Sequence, residues 1–157
     1  MKHRRLAVLA ATAAMPLAAV GIASATSPAG VTPTVHVMGA DLADDLKVNA
    51  DGVKFQTKVP TDVSVLTLTI DPGGRTGWHT HPGLAIIAVS EGTGKLYSAD
   101  CTSETFSAGE AFVEGGKDAP TLFRNESSSP VVLTVSFIAP RNAEIIHDEA
   151  APACGLS

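Results

Sequence analysis

From Val53 onward, apolar and polar residues trade places in short segments divided by glycine-rich and proline-rich breaks. Val53-Lys54-Phe55-Gln56-Thr57-Lys58-Val59 alternates, which places Val53, Phe55, Thr57 and Val59 on one face of an extended segment. Val63 to Ile70 reads as a strand with Leu66, Leu68 and Ile70 on one face and Thr67 and Thr69 on the other. Asp71-Pro72-Gly73-Gly74 has the turn chemistry to end it. Leu84 to Val89 is a continuous apolar strand, and Lys95 to Tyr97 resumes after a turn at Glu91–Gly94. Ala111–Val113, Thr121–Arg124 and Val131–Ile138 read as further strands, set apart by turns at Ala108–Glu110, Gly115–Asp118 and Asn125–Pro130. Earlier in the chain, Val35–Met38 is a short apolar segment, and Ala40–Leu46 reads as one helical turn or a loop. The pattern holds no amphipathic helix of ordinary length, no internal repeat and no second domain. Short strands with turns roughly every eight to twelve residues predict an all-β barrel or sandwich.

The N-terminal residues follow a different pattern. Met1-Lys2-His3-Arg4-Arg5 is basic, Leu6–Val20 is apolar, and Ala23-Ser24-Ala25 has the small-x-small form of a cleavage site. These features predict a signal peptide over residues 1–25, with Thr26 as the mature N-terminus and a secreted or extracytoplasmic destination. The apolar run is short for a membrane span, and no cysteine follows the cleavage site to carry a lipid. Arg4-Arg5 reads as the basic start of an ordinary signal, with a twin-arginine signal as the alternative. Residues 26–33, rich in Ser, Thr, Pro, Ala and Gly, read as a flexible lead-in, leaving 34–157 as one domain with a C-terminal tail.

Charge narrows the partners. Without the signal, the 132 remaining residues carry eight basic and sixteen acidic side chains, a formal charge of −8. That balance argues against nucleic acid and, after signal cleavage, against an anionic membrane surface. Two cysteines remain, Cys101 and Cys154. In an exported protein an even count suggests a bridge, here tying the tail to the body and worth roughly 4 kcal/mol by loop entropy. Two free thiols are the alternative.

The densest chemistry lies in Pro72-Gly73-Gly74-Arg75-Thr76-Gly77-Trp78-His79-Thr80-His81-Pro82-Gly83. Residues i and i+2 of a strand share a face, so His79 and His81 can reach one metal ion or one ligand. A neutral, hydrogen-bonded pair of histidines in a polar pocket is the plainer alternative. Ala85, Ile87 and Val89 share the parity of the histidines, and Phe123 that of Thr121, so these residues are expected to line a small apolar pocket. A closed core is the alternative. By the same alternation Trp78 faces away from His79, towards the outer layer or the rim, and Arg75 lies in the loop beside it. His36 and His147, near the chain ends, read as surface residues. The sequence has no nucleophile elbow, phosphate loop, zinc-binding cysteine cluster or spaced carboxylate pair.

These motifs resemble those of the cupin superfamily, small jelly-roll β-barrels. Gly73 opens the first motif, His79 and His81 fit its His-x-His, and Gly92 closes it. Gly109 opens the second motif and Asn125 ends it, so the resemblance spans about residues 60–140. The mid-chain cysteine and the tail Ala-Cys-Gly-Leu are also similar to those of small exported cupins of actinobacterial type. The resemblance implies a metal cage of three histidines and one glutamate. Here the glutamate falls at Ala85 or Ile86, the third histidine at Thr121, and the proline of the second motif is replaced within Glu114-Gly115-Gly116. The motif is thus incomplete, and water or substrate, the Thr121 hydroxyl or Glu114 are left to complete it. Two functions follow from the resemblance. One is an exported protein binding a small molecule in the barrel, with a loosely held divalent transition metal (Fe, Mn, Ni or Zn). The other is a metal-dependent enzyme such as a dioxygenase or isomerase, which the missing ligands count against. A structural protein with a filled barrel is the third alternative, and a homodimer is implied by resemblance alone.

Overall fold

In the computed structural model, residues 25–153, 155 and 156 are described, Lys117 by its backbone alone. The expected signal peptide, apart from Ala25, and Cys154 lie outside the described residues.

Every strong alternating segment becomes a strand, and among the described residues there is no helix. The strands are β1 (Ala29–Leu42), β2 (Lys47–Ala50), β3 (Val53–Gln56), β4 (Thr61–Arg75), β5 (His79–Glu91), β6 (Thr93–Ser98), β7 (Ser103–Ser107), β8 (Ala111–Arg124), β9 (Val131–Pro140) and β10 (His147–Asp148). One sheet runs β1-β4-β9-β5-β8-β6-β7, with β10 added to β5. β8 returns to β4 through Arg75 and Arg124, so β4, β9, β5 and β8 close into a ring. This is the expected all-β jelly-roll barrel. β2 and β3 form a separate hairpin.

Period-two patterning decides what the ring encloses. In β9, Val131, Leu133, Val135, Phe137 and Ala139 are buried, while the residues between them are more exposed. The first four of these buried residues pack with Leu66 and Ile70 of β4, Ile87 and Val89 of β5, and Phe112 and Phe123 of β8. Burying each large apolar side chain contributes roughly 1.5–3 kcal/mol, so this interior is the main support of the barrel.

Several local expectations are corrected. Residues 26–33 are not a flexible lead-in: Ala29–Pro33 belong to β1 and pair with β4, and the Thr26 hydroxyl accepts a 2.6 Å hydrogen bond from the Trp78 amide. Tertiary pairing here overrides a composition that suits a linker. Ala40–Leu42 continue β1 rather than forming a helical turn. Asp71–Gly74 do not end β4, which runs on to Arg75. Gly115–Asp118 do not reverse the chain. His81 pairs with Gly116 and Leu84 with Gly115, so the two extra residues of β5, Pro82 and Gly83, are absorbed as a bulge. Gly116 takes a φ of 88°, which suits glycine. Val53 is exposed because β3 pairs with β2 and stands outside the barrel, and Val59 is exposed in the connection from β3 to β4.

Asn125 fastens the end of β8. It is fully buried, and its amide donates to the carbonyls of Ile70 (2.9 Å) and Ser129 (2.8 Å). Its side-chain oxygen accepts from the amide and hydroxyl of Ser127. Its backbone exchanges hydrogen bonds with Gly73 and Gly74. Asn125→Ala removes the side-chain donor to the Ile70 carbonyl and the acceptor of the Ser127 amide, while the Ser129 carbonyl keeps the Ser127 hydroxyl. The expected loss, read by urea denaturation, is on the order of 3 kcal/mol.

Candidate metal centre

His79 opens β5 immediately after a tight backbone approach. Gly77 has a φ of 77°, and the Thr26 backbone occupies the space that a Cβ would need. The Gly77 carbonyl accepts from His79 Nδ1 at 3.0 Å. His81 Nδ1 donates to the Ile145 carbonyl at 2.7 Å. Both rings are therefore pinned through Nδ1, and both Nε2 atoms turn towards one carboxylate. Glu114 Oε2 lies 3.3 Å from His81 Nε2 and 3.8 Å from His79 Nε2. The ring centroids are 4.8 Å apart. All three residues are buried.

Glu114 arrives from the neighbouring strand. In β8, Phe112 and Glu114 are buried while Ala111 and Val113 are exposed, so the carboxylate points inward by ordinary alternation. In register it stands directly opposite Ala85, one of the two positions where the resemblance places the cage glutamate. Thr121, expected as a pocket residue, donates its hydroxyl to Glu114 Oε1 at 2.8 Å. The motif is thus not limited to two imidazoles: His79, His81 and Glu114 offer donor atoms within 4.8 Å of one another. The parity of Glu114 with Phe112 is the sequence signal that locates it.

A cavity of about 420 Å³ opens on this cluster. Ile87 and Phe123 line it, as expected, together with Leu66, Phe112, Val135 and Phe137. Ala85 and Val89 are buried in the core instead of lining it. The barrel is therefore neither closed nor filled. Trp78 is not a rim residue. It is fully buried, with its indole N–H donating to the Leu156 carbonyl at 3.0 Å, because the C-terminal segment packs over the start of β5. Arg75 is half-buried opposite Arg124 and does not line the cavity. His36 is exposed and bonded to Thr67, and His147 is exposed opposite Thr80. Asp148, at the chain's far end, does line the cavity. Cys101 lies in the turn between β6 and β7.

Electrostatics favour the charged forms of Glu114 and His79. Burial pushes the Glu114 carboxyl up, but the two imidazoles, the positive charge of His79 and the Thr121 hydroxyl outweigh it and bring it to about 2. Burial works to lower His79, yet Glu114, the Gly77 carbonyl and the charge of Asp148 raise it above 6.5. With Nδ1 committed to a carbonyl, each ring can donate to Glu114 only as an imidazolium. As neutral rings, both present an Nε2 lone pair, the form that ligates a metal.

A family model described as Cupin domain matches residues 66–137, which include all three residues of the cluster. A conserved protein with a double-stranded β-helix domain from Klebsiella pneumoniae has a similar fold: TM-score 0.54, 16% identity, covering 78% of this chain and 84% of that one. The polyketide cyclase RemF from Streptomyces resistomycificus is similar at TM-score 0.56 and 17% identity, covering 85% and 84%. No curated protein matches the chain in sequence.

The metal-free protein should carry a pH signature. The Glu114 contribution to stability is present above 4.5 and fades as pH falls towards about 2. The His79 contribution is complete below 6.5 and fades as pH rises through its raised value. Thermal denaturation in chelator should show these two groups favouring the interval between 4.5 and 6.5. In Glu114→Gln the alkaline decline attributable to His79 should flatten.

Proposed function

We propose that this chain, which belongs to the cupin superfamily, is an exported protein that binds a small molecule in its barrel at a divalent transition metal held by His79, His81 and Glu114. The observation that carries this reading is the convergence of two pinned imidazoles and one carboxylate on the wall of an open cavity.

The residues fit such an ion. Two nitrogen donors and one oxygen donor suit Fe, Mn, Ni or Zn, and three protein ligands leave a position open for a bound molecule. When bound, the ion supplies a Lewis-acidic position for an oxygen of that molecule. The remaining work belongs to the chain. The Gly77 and Ile145 carbonyls fix the tautomer and aim of each ring. Thr121 holds one carboxylate oxygen and leaves the other facing the imidazoles. The apolar wall keeps water from competing. A metal-dependent enzyme such as a dioxygenase or isomerase is the second reading, favoured by the same donor set, since two histidines and a carboxylate with open positions also serve oxygenases.

The signal sequence over residues 1–25 supports export, and the Cys101–Cys154 bridge belongs to the same proposal. Homodimer formation has support in Ile86 and Val113, paired and exposed on the outer face.

Untagged protein from the export compartment should contain a near-stoichiometric transition metal, or take one up after chelator treatment. His79→Ala, His81→Ala and Glu114→Gln should each weaken cobalt(II) binding by more than the roughly 100-fold that outer-sphere changes cause. Wild-type protein that binds none of the four metals in calorimetry refutes the site. Separately, the unreduced protein should show no titratable thiol, and reduction should cost roughly 4 kcal/mol in denaturant.

A further inference from the structure

The composition of the cavity goes further than its location. Its floor is Leu66, Phe112, Phe123 and Val135, and its outer walls come from two distant segments. Val31, Pro33, Val35 and Met38 of β1 form one, and Ile145 and Ile146 form the other. Val35, Met38 and Ile146 are 52%, 57% and 44% exposed, yet they line this same cavity. The mouth is therefore apolar as well as the interior. The volume, about 420 Å³, falls within the roughly 300–1,000 Å³ of pockets for drug-sized ligands.

Polar groups are confined to a few positions. Among the described residues, no lysine or arginine lines the cavity, and its ionisable groups are His79, His81, Glu114 and Asp148. With a divalent ion in place and both imidazoles neutral, Glu114 and Asp148 offset its two charges. A ligand bringing further negative charge would find no counter-charge. A ligand with many hydroxyls would bury them against aliphatic walls without partners, at a cost of about 1–3 kcal/mol for each.

Resting on the metal-site reading above, we infer that the ligand is an apolar molecule with one compact oxygen-donor head, such as a phenol, a ketone or an enol. The head sits at His79, His81 and Glu114, and the tail runs over Leu66 and Phe123 towards Val35, Met38 and Ile146. Phosphorylated sugars, dicarboxylates and free sugars are excluded as preferred ligands.

Calorimetry on zinc-loaded protein with a series from acetohydroxamic to octanohydroxamic acid tests this. Affinity should rise roughly fourfold per methylene that becomes buried. Oxalate and glucose 6-phosphate should bind more weakly than octanohydroxamate. Met38→Asn and Ile146→Asn, both at exposed positions and neither adding charge, should flatten the chain-length dependence and leave zinc affinity unchanged. Fluorescence of the neutral dye N-phenyl-1-naphthylamine should rise with metal-free protein and fall when octanol competes. Metal-loaded protein with no chain-length dependence, or with a preference for oxalate or glucose 6-phosphate, overturns the inference and leaves the metal site standing. Protein that binds the dye, with competition by octanol, but takes no metal overturns the metal site and supports an apolar ligand.

Discussion

The structure turns on one buried carboxylate. Glu114 sits inside a barrel whose other inward residues are largely aliphatic or aromatic. Removing an isolated carboxylate from water costs several kcal/mol even after relaxation. Three groups offset that cost here: the imidazoles of His79 and His81 and the hydroxyl of Thr121. An apolar residue of similar volume would fill the space with less penalty. A charge placed there, with each neighbour aimed at it, is better understood as half of a site that meets a cation than as a device for stability.

Holding that carboxylate and its partners in place draws on the whole chain. The carbonyl that orients His81 belongs to Ile145, sixty-four residues away. Glu149 accepts from the Thr80 hydroxyl and donates its amide to the Trp78 carbonyl. Thr26, near the start of the described residues, bonds to the Trp78 amide and to the Glu149 carbonyl. Segments near both ends of the described residues thus clasp the three residues between Gly77 and His81. Fixing ring tautomers through backbone carbonyls rather than flexible side chains makes the arrangement stiff, because the carbonyls belong to paired strands or to segments hydrogen-bonded onto them.

What the sequence displayed follows from what period two can and cannot encode. It placed His79 and His81 on one face, because that depends only on neighbours two apart. It also brought out Val131–Ile138 as a strand and Ile87 and Phe123 as cavity wall. Register lies beyond it. Nothing in Gly109–Arg124 announces that Glu114 stands across from Ala85, since that depends on a bulge at Pro82 and Gly83 of β5, opposite Gly115 and Gly116. The same two glycines carry strong turn chemistry, yet their pairing with His81 and Leu84 of β5 keeps them within β8. Trp78 shows a related limit, since period two gives the face it takes but not what covers it. Alternation turned it away from His79, but the surface it met was not solvent; the C-terminal segment covers it. Asn125, by contrast, was marked by its motif, and its role is to tie β4 to the turn before β9.

The exchange of a carboxylate between strands also explains its neighbour. Ala85 and Glu114 face each other across β5 and β8, so their side chains project to the same side of the sheet. Two buried carboxylates at facing positions would repel, and one would be forced to take up a proton. A single acid can therefore serve this place, and whichever strand carries it, the other must present something small. Alanine at 85 is fully buried directly opposite Glu114, and its small side chain meets this condition. The residue that makes the first motif look broken is, in three dimensions, the register partner of the carboxylate that joins the two histidines. A motif scored along the chain counts this as a loss, because it cannot see that the missing oxygen donor has been supplied from the adjacent strand.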